Sequence, residues 1–191
     1  MMIRFPLIMC LALTTGLVLA QESTRQNWKL FKSTTGFSVK YPSNWFRKRI
    51  STDSLTILSS SGGAEGVVIK GGQAVIDVAK EEEKYTNLPL SQLVEHYVQD
   101  ADVLSRKNIH NEGAGTQGCR DLLQIISREP SVPLDAVPEP RLVPYVINTV
   151  YFCEIHGHKY VTVLRNYDGD KKQATYRQVA LRVAESLRMD K

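Results

Sequence analysis

The feature that most constrains the fold is a pair of long β-forming segments separated by a very short turn. Tyr145 to Ile155 and Tyr160 to Tyr167 are rich in Val, Ile, Tyr and Phe, residue types that are enriched in strands. The turn between them, His156-Gly157-His158, contains a glycine, which adopts the positive φ angles of tight hairpin turns without strain. The sequence therefore predicts a long antiparallel hairpin.

A second hairpin is predicted near the start of the domain. Trp28 to Ser33 and Phe37 to Tyr41 alternate in polarity on either side of a Gly-containing turn. Pro42 ends the second strand because proline has no amide hydrogen to donate to a neighbouring strand. We expect the chain to turn after Pro42, so that Trp45 folds back over an open end of the hydrophobic layer.

Two amphipathic segments predict helices. From about Leu88 to Asp100, apolar side chains recur at helical spacing, with Thr86 or Asn87 as the cap and Pro89 in the first turn. Ala174 to Met189 has the same periodicity. The charged stretch that precedes the first helix is expected to be a surface connection.

The order of the predicted elements indicates the fold class. Further strands are predicted at Leu55 to Ser60, at Val67 to Val78 and at Cys119 to Ser127. In the run Leu122 to Ile126, apolar residues occur at positions that point to both faces of a strand. This pattern favours a sheet that is covered on both faces. We predict an α+β fold, an α-β-α sandwich around a mainly antiparallel sheet.

The first twenty residues predict a secretory signal peptide. Arg4 precedes an apolar run that ends in VLA, the small-residue pattern of a cleavage site. Met9 stands before Cys10, where a lipoprotein signal has a small residue. We therefore expect an exported protein, periplasmic or extracellular, with no transmembrane segment after signal removal. Residues 21–27 form a polar leader, and residues 28–191 are expected to fold as a single domain.

The charge of the chain gives no indication of nucleic-acid binding. The formal net charge is +4, and the densest basic run is only Arg47-Lys48-Arg49. Proteins that bind nucleic acid usually concentrate basic residues in a stripe. We interpret the run as a solvated strand edge, with contact to an anionic membrane or partner as the alternative.

Several of these segments together resemble the PsbP-like family, the extrinsic photosystem protein and its exported bacterial relatives. The resemblance lies in GFSVKYPSNW, the LPLSQLVEHYV helix, the late strands INTVYF and YVTVLRNY, and the closing AESLRM. It covers nearly the whole predicted domain and implies an α-β-α sandwich that serves as a binding or assembly accessory and not as an enzyme. No binding residues are carried over from that family.

One segment of the chain fits a cofactor-binding pattern. GAGTQG, from Gly113 to Gly118, fits the dinucleotide pattern, but the segment before it is polar and the one after it is β-branched rather than helical. We expect a flexible loop and no cofactor there. Glu95, His96 and Asp100 are interpreted as a surface trio, and no catalytic residue is assigned.

One group of side chains near the hairpin turn consists of residue types that bind metal ions. His156 and His158 flank the hairpin turn, Cys153 is near, and imidazole nitrogen is a good zinc ligand. A structural zinc site usually has four ligands, so we expect a polar turn without a metal, and His156 and His158 are kept as the alternative metal ligands.

The two cysteines that remain after signal removal, Cys119 and Cys153, predict a disulfide, because exported proteins fold under oxidising conditions. If the Pro-rich segment Glu129 to Pro140 connects two antiparallel strands, Cys119 lies directly opposite Cys153, and Leu122 lies opposite Val150. The same segment is expected to be a mobile loop that contributes little to stability.

Two functions follow as hypotheses. The first is an exported, non-catalytic binding or assembly accessory domain with an unknown protein or cell-envelope partner. The alternative is a small hydrolase or metal-dependent enzyme with a site assembled from scattered residues. A deep pocket with converging ionisable groups would favour the enzyme, whereas a shallow concave sheet or an exposed apolar patch would favour binding.

Overall fold

The computed structural model describes residues 27–48, 51–60, 74–131 and 145–190. The predicted signal peptide and most of the predicted Pro-rich loop lie outside these ranges. The strands are β1 (Trp28–Lys32), β2 (Phe37–Pro42), β3 (Phe46–Lys48), β4 (Ser54–Leu58), β5 (Val75–Lys80), β6 (Asp102–His110), β7 (Asp121–Pro130), β8 (Tyr145–Ile155), β9 (His158–Tyr167) and β10 (Arg188–Met189). The helices are α1 (Glu83–Thr86), α2 (Leu90–Val98) and α3 (Gln173–Glu185).

The strands form two antiparallel sheets. The large sheet has seven strands in the order β3-β4-β5-β9-β8-β7-β6, and the small sheet has the order β1-β2-β10. The predicted hairpin is confirmed as β8 and β9, which pair from Ile155 opposite His158 to Val146 opposite Tyr167. Its turn has positive φ at His156 (49°) and at Gly157 (80°), which explains the glycine.

Both faces of the large sheet are covered. On the α3 face, which carries Tyr151 and Tyr160, α3 and the small sheet enclose the larger hydrophobic core. On the α2 face, which carries Val150 and Phe152, Leu93 and Val94 of α2 are fully buried. The predicted α+β class, with helices on both sides of an antiparallel sheet, is confirmed.

Trp45 is buried at one end of the core on the α3 face. The strand β2 ends at Pro42, and the amide of Trp45 donates to the Pro42 carbonyl (3.1 Å), which closes the predicted turn. The indole ring meets Tyr176 of α3 edge-on, with 5.9 Å between ring centroids. The prediction that proline redirects the chain to bury this tryptophan is confirmed.

The first predicted helix is shorter than its pattern indicated. It begins at Leu90, and its N-cap residue is Pro89 rather than Thr86 or Asn87. The charged stretch before it was predicted as a surface connection, but residues 83–86 form the one-turn helix α1. Glu and Lys favour helix, which explains why this stretch turns helical instead of staying extended.

The predicted register between β7 and β8 is wrong. Leu122 lies opposite Cys153 and not opposite Val150, a shift of three positions. The shift is required because Leu122 packs in the core of the α3 face, whereas Val150 packs on the α2 face. The strand β7 also starts at Asp121 and continues to Pro130, so Glu129 and Pro130 belong to the sheet rather than to the predicted loop.

The disulfide between Cys119 and Cys153 is nevertheless present, with 5.7 Å between the Cα atoms. Cys119 lies before β7 in a segment without regular structure, so it reaches Cys153 without being its cross-strand partner. Both cysteines are buried in the core of the α3 face. The bond thus joins an irregular loop to a central strand.

Candidate functional site

The loop that holds the GAGTQG pattern is firmly anchored, contrary to the expectation of a flexible loop. Asn111 fixes its two ends, because its side-chain Nδ2 donates to the carbonyls of Cys119 (3.0 Å) and Glu185 (3.1 Å). Its backbone amide donates to the Arg120 carbonyl (2.7 Å). The strand β7 follows the loop where a dinucleotide fold has a helix.

Gly118 allows this loop to lie against the C-terminal end of the chain. It forms an antiparallel bridge with Arg188. A Cβ atom at residue 118 would lie 2.6 Å from Arg188 Nη1 and would also collide with the Ala114 carbonyl. Arg188 Nη1 in turn donates to the carbonyls of Glu185 (2.7 Å) and Leu187 (2.8 Å). A side chain at position 118 therefore has no room.

We expect Gly118→Ala to destabilise the fold by about 2 kcal/mol, because the added methyl group must displace Arg188 or the backbone. Gly113→Ala in the same loop is the control, since its nearest neighbour would be Asn111 Oδ1 at 3.6 Å. Urea unfolding of both variants measures the difference. Equal stabilities for the two variants would contradict the close approach at Gly118.

A depression of about 290 Å³ lies between this loop and the end of the β8–β9 hairpin. It is lined by Gly115, Thr116, Gly118, Arg120, Glu154, Ile155 and His156. The sequence motifs around GAGTQG and His156, which are about 40 residues apart, thus share one cavity. The disulfide links the two walls, because Cys119 and Cys153 are the chain neighbours of lining residues on each wall.

The described residues around the histidine turn do not supply four metal ligands. Cys153 is bonded to Cys119 and has no free thiolate to offer. Within residues 27–48, 51–60, 74–131 and 145–190, no three His, Cys, Asp or Glu side chains are grouped as metal ligands. Glu95, His96 and Asp100 are all exposed, as expected of a surface trio; His96 stacks near Tyr85, and Glu95 approaches Arg106 (3.9 Å).

A second depression, of about 350 Å³, lies on the α2 face and was not predicted from the sequence. Its central feature is an ion pair between Arg165 Nη1 of β9 and Asp77 Oδ2 of β5, at 2.6 Å. Thr56 of β4 donates to the other oxygen of Asp77 (2.6 Å). The three residues lie on neighbouring strands, and the register alone brings them together. Both oxygens of Asp77 are thus occupied by protein donors.

Tyr97 forms the helix-side wall of this second depression. Its hydroxyl donates to Glu81 Oε1 (2.5 Å), and its ring meets Phe152 edge-on. Burial raises the pKa of Tyr97 well above its usual range, and the hydrogen bond to Glu81 raises it further. The phenol therefore stays protonated and serves as a fixed donor, not as a base.

The outer edge of the large sheet is exposed along β6. Eight of its nine residues are exposed, and among the described residues β7 is its sole strand neighbour. Val103 and Leu104 are 47% and 50% exposed, and a bulge displaces the strand between Val103 and Ser105. Arg106 lies opposite Ile125, and Lys107 lies opposite Gln124, so these two cations project from opposite faces.

The part of the chain that the structure describes contains no helix of the length and apolarity needed to span a bilayer. No protein-family model and no curated protein matches the chain.

Several solved structures are similar in fold. A protein of unknown function from Pseudomonas aeruginosa is 10% identical, with a TM-score of 0.45 over 82% of this chain and 94% of its own. A Bacteroides thetaiotaomicron VPI-5482 protein is 14% identical, with a TM-score of 0.46 over 87% of this chain and 49% of its own. Cyanobacterial PsbP from Synechocystis sp. PCC 6803 is 13% identical, with a TM-score of 0.43 over 86% of this chain and 93% of its own. At these values the likeness to PsbP and the other two concerns the fold and assigns no function.

Proposed function

We propose that this protein is an exported, non-catalytic accessory domain that binds an extended, acidic segment of a cell-envelope protein along β6. The observation that carries the proposal is the exposure of eight of the nine residues of this outermost strand. The outer edge of a sheet presents backbone amides and carbonyls that add a further strand from a partner. The exposed Val103 and Leu104 offer apolar contacts beside those backbone groups.

The charge of β6 selects the class of partner. Lys107 forms no ion pair with the described residues, and Arg106 is only loosely paired, at 3.9 Å from Glu95. Asp102, the one acidic residue of the strand, is already held by Arg128 at 2.9 Å. The centre of the edge is therefore basic, which favours an acidic strand.

A second copy of this chain fits the same edge less well. Two β6 strands paired about their centres would bring Arg106 and Lys107 of one copy against the same residues of the other. The bulge after Val103 and a central lysine are features that hinder pairing between identical edges. The charges therefore disfavour self-association while leaving an acidic partner favourable.

The test is binding of a labelled ten-residue peptide of alternating valine and glutamate, followed by fluorescence anisotropy. We expect Arg106→Glu with Lys107→Glu to weaken binding at least about tenfold, because like charges then face each other. Lys171→Glu with Lys172→Glu is the matched control, since it makes the same charge change at exposed positions before α3.

Hydrogen exchange of β6 amides locates the peptide in the same experiment. Protection of residues 102–110 on peptide binding supports the proposal. Equal loss of affinity in both double variants, protection elsewhere, or a dimer held by β6 in the absence of peptide would each overturn it.

A further inference from the structure

We propose that the depression between the GAGTQG loop and the β8–β9 turn binds a small zwitterion with the chemistry of a free amino acid. This site is separate from β6 and does not depend on the function proposed for that edge. The cavity volume, about 290 Å³, suits a molecule of this size.

The first argument is the pair of opposite charges in one cavity. Arg120 and Glu154 both line it, yet they are not in ion-pair contact with each other. Among the described residues Arg120 has no acidic partner at all. Glu154 lies at the limit of contact with Lys159, at 4.0 Å. A ligand that carries both charges would place a carboxylate on Arg120 and an ammonium group on Glu154.

One acidic neighbour of the cavity is already paired. Asp121, which neighbours Arg120 in the chain, accepts from His110 Nδ1 at 2.7 Å. Neither residue lines the cavity. His156 and Thr116 add polar groups that can hydrogen-bond a carboxylate. The lining thus carries one cation and one anion, which disfavours ligands with a single net charge.

The second argument is that both walls are held in place before any ligand arrives. The loop wall is fixed by Asn111 and by the Gly118–Arg188 contact, and the amide of Met189 donates to the Gln117 carbonyl (2.8 Å). The opposite wall is the end of β8, within the large sheet. The disulfide connects the two walls at Cys119 and Cys153. The backbone of both walls is thus held before a ligand binds, which lowers the entropic cost of ordering the site.

The test uses L-alanine, acetate and ethylammonium as probes of the folded chain, with amide shifts followed by NMR. L-Alanine is expected to cause saturable shifts at Gly115, Gly118 and His156, at a concentration at least about tenfold lower than either single-charge probe. Saturation by acetate alone at the same concentration would indicate a site for simple anions rather than for a zwitterion, and would overturn the proposal.

Two variants test the contributions of the two charges separately. Arg120→Ala and Glu154→Gln should each weaken L-alanine binding at least about tenfold. Arg182→Ala, an exposed position on α3 outside the cavity, is the control and should bind as the parent protein does. Non-saturable shifts, or the same affinity in Arg120→Ala as in the parent, would show that this cavity is not a binding site.

Discussion

Replacing Phe37 by alanine is expected to destabilise the protein by about 4 kcal/mol. The Phe37 side chain is fully buried. Its ring meets Phe31 of β1 at 6.0 Å and Tyr160 of β9 at 5.7 Å, edge-on in both cases. It therefore joins the small sheet to the large one, and alanine would lose both the transfer energy and the contacts around the resulting cavity.

Phe46→Ala is the matched control, because Phe46 lies on the short edge strand β3 and is 48% exposed. The same chemical change there should cost less than about 1 kcal/mol. Urea unfolding followed by tryptophan fluorescence compares the two. A loss at Phe37 no larger than the loss at Phe46 would mean that the two sheets do not depend on this ring.

Removing the disulfide with Cys119→Ala and Cys153→Ala is expected to lower the free energy of unfolding by roughly 4 kcal/mol. The bond joins residues with a sequence separation of 34. Without the bond the unfolded chain regains the conformational entropy of that loop. The chain-entropy model gives a loss of stability of roughly 4 kcal/mol for a loop of this length. The lost sulfur contacts in the core act in the same direction.

The reductant dependence of unfolding isolates the contribution of the bond. When dithiothreitol is added, the free energy of unfolding of the parent protein should fall close to that of the double variant. The free energy of unfolding of the double variant should not change. As a check that the bond is reduced, the parent protein is first denatured in the presence of the reductant and then refolded. If its unfolding midpoint is then the same with and without reductant, the disulfide is not a source of stability.

Features that depend on local periodicity could be predicted from the sequence. The helical spacing of apolar residues between Leu88 and Asp100 predicted one buried face, and Leu93 and Val94 on that face are fully buried. The β8–β9 hairpin followed from strand-forming residues around one glycine. The disulfide followed from composition and the expected compartment rather than from geometry, which is why it was right although the register was not.

Features that depend on distant contacts could not be predicted in this way. Asp77 and Arg165 are 88 residues apart, and only the pairing of β5 with β9 brings them together. The anchoring of the GAGTQG loop depends on Arg188, which no local pattern connects to it. The β7–β8 register failed because it assumed that the two bonded cysteines are cross-strand partners, whereas Cys119 lies in the loop before β7.

The position of β2 between β1 and β10 has a consequence for how the chain folds. Ser38 of β2 donates to Asp190, which follows β10 and is 152 residues away in sequence, whereas the β8–β9 hairpin closes across a two-residue turn. The entropic cost of loop closure increases with loop length, so the β8–β9 and β1–β2 hairpins are favoured to form first and the pairing of β2 with β10 last. Until β10 arrives, the strand that carries Phe37 lacks one of its two neighbours. The late step of folding is thus the pairing of β10 with β2, which joins the paired strands that lie farthest apart in the sequence.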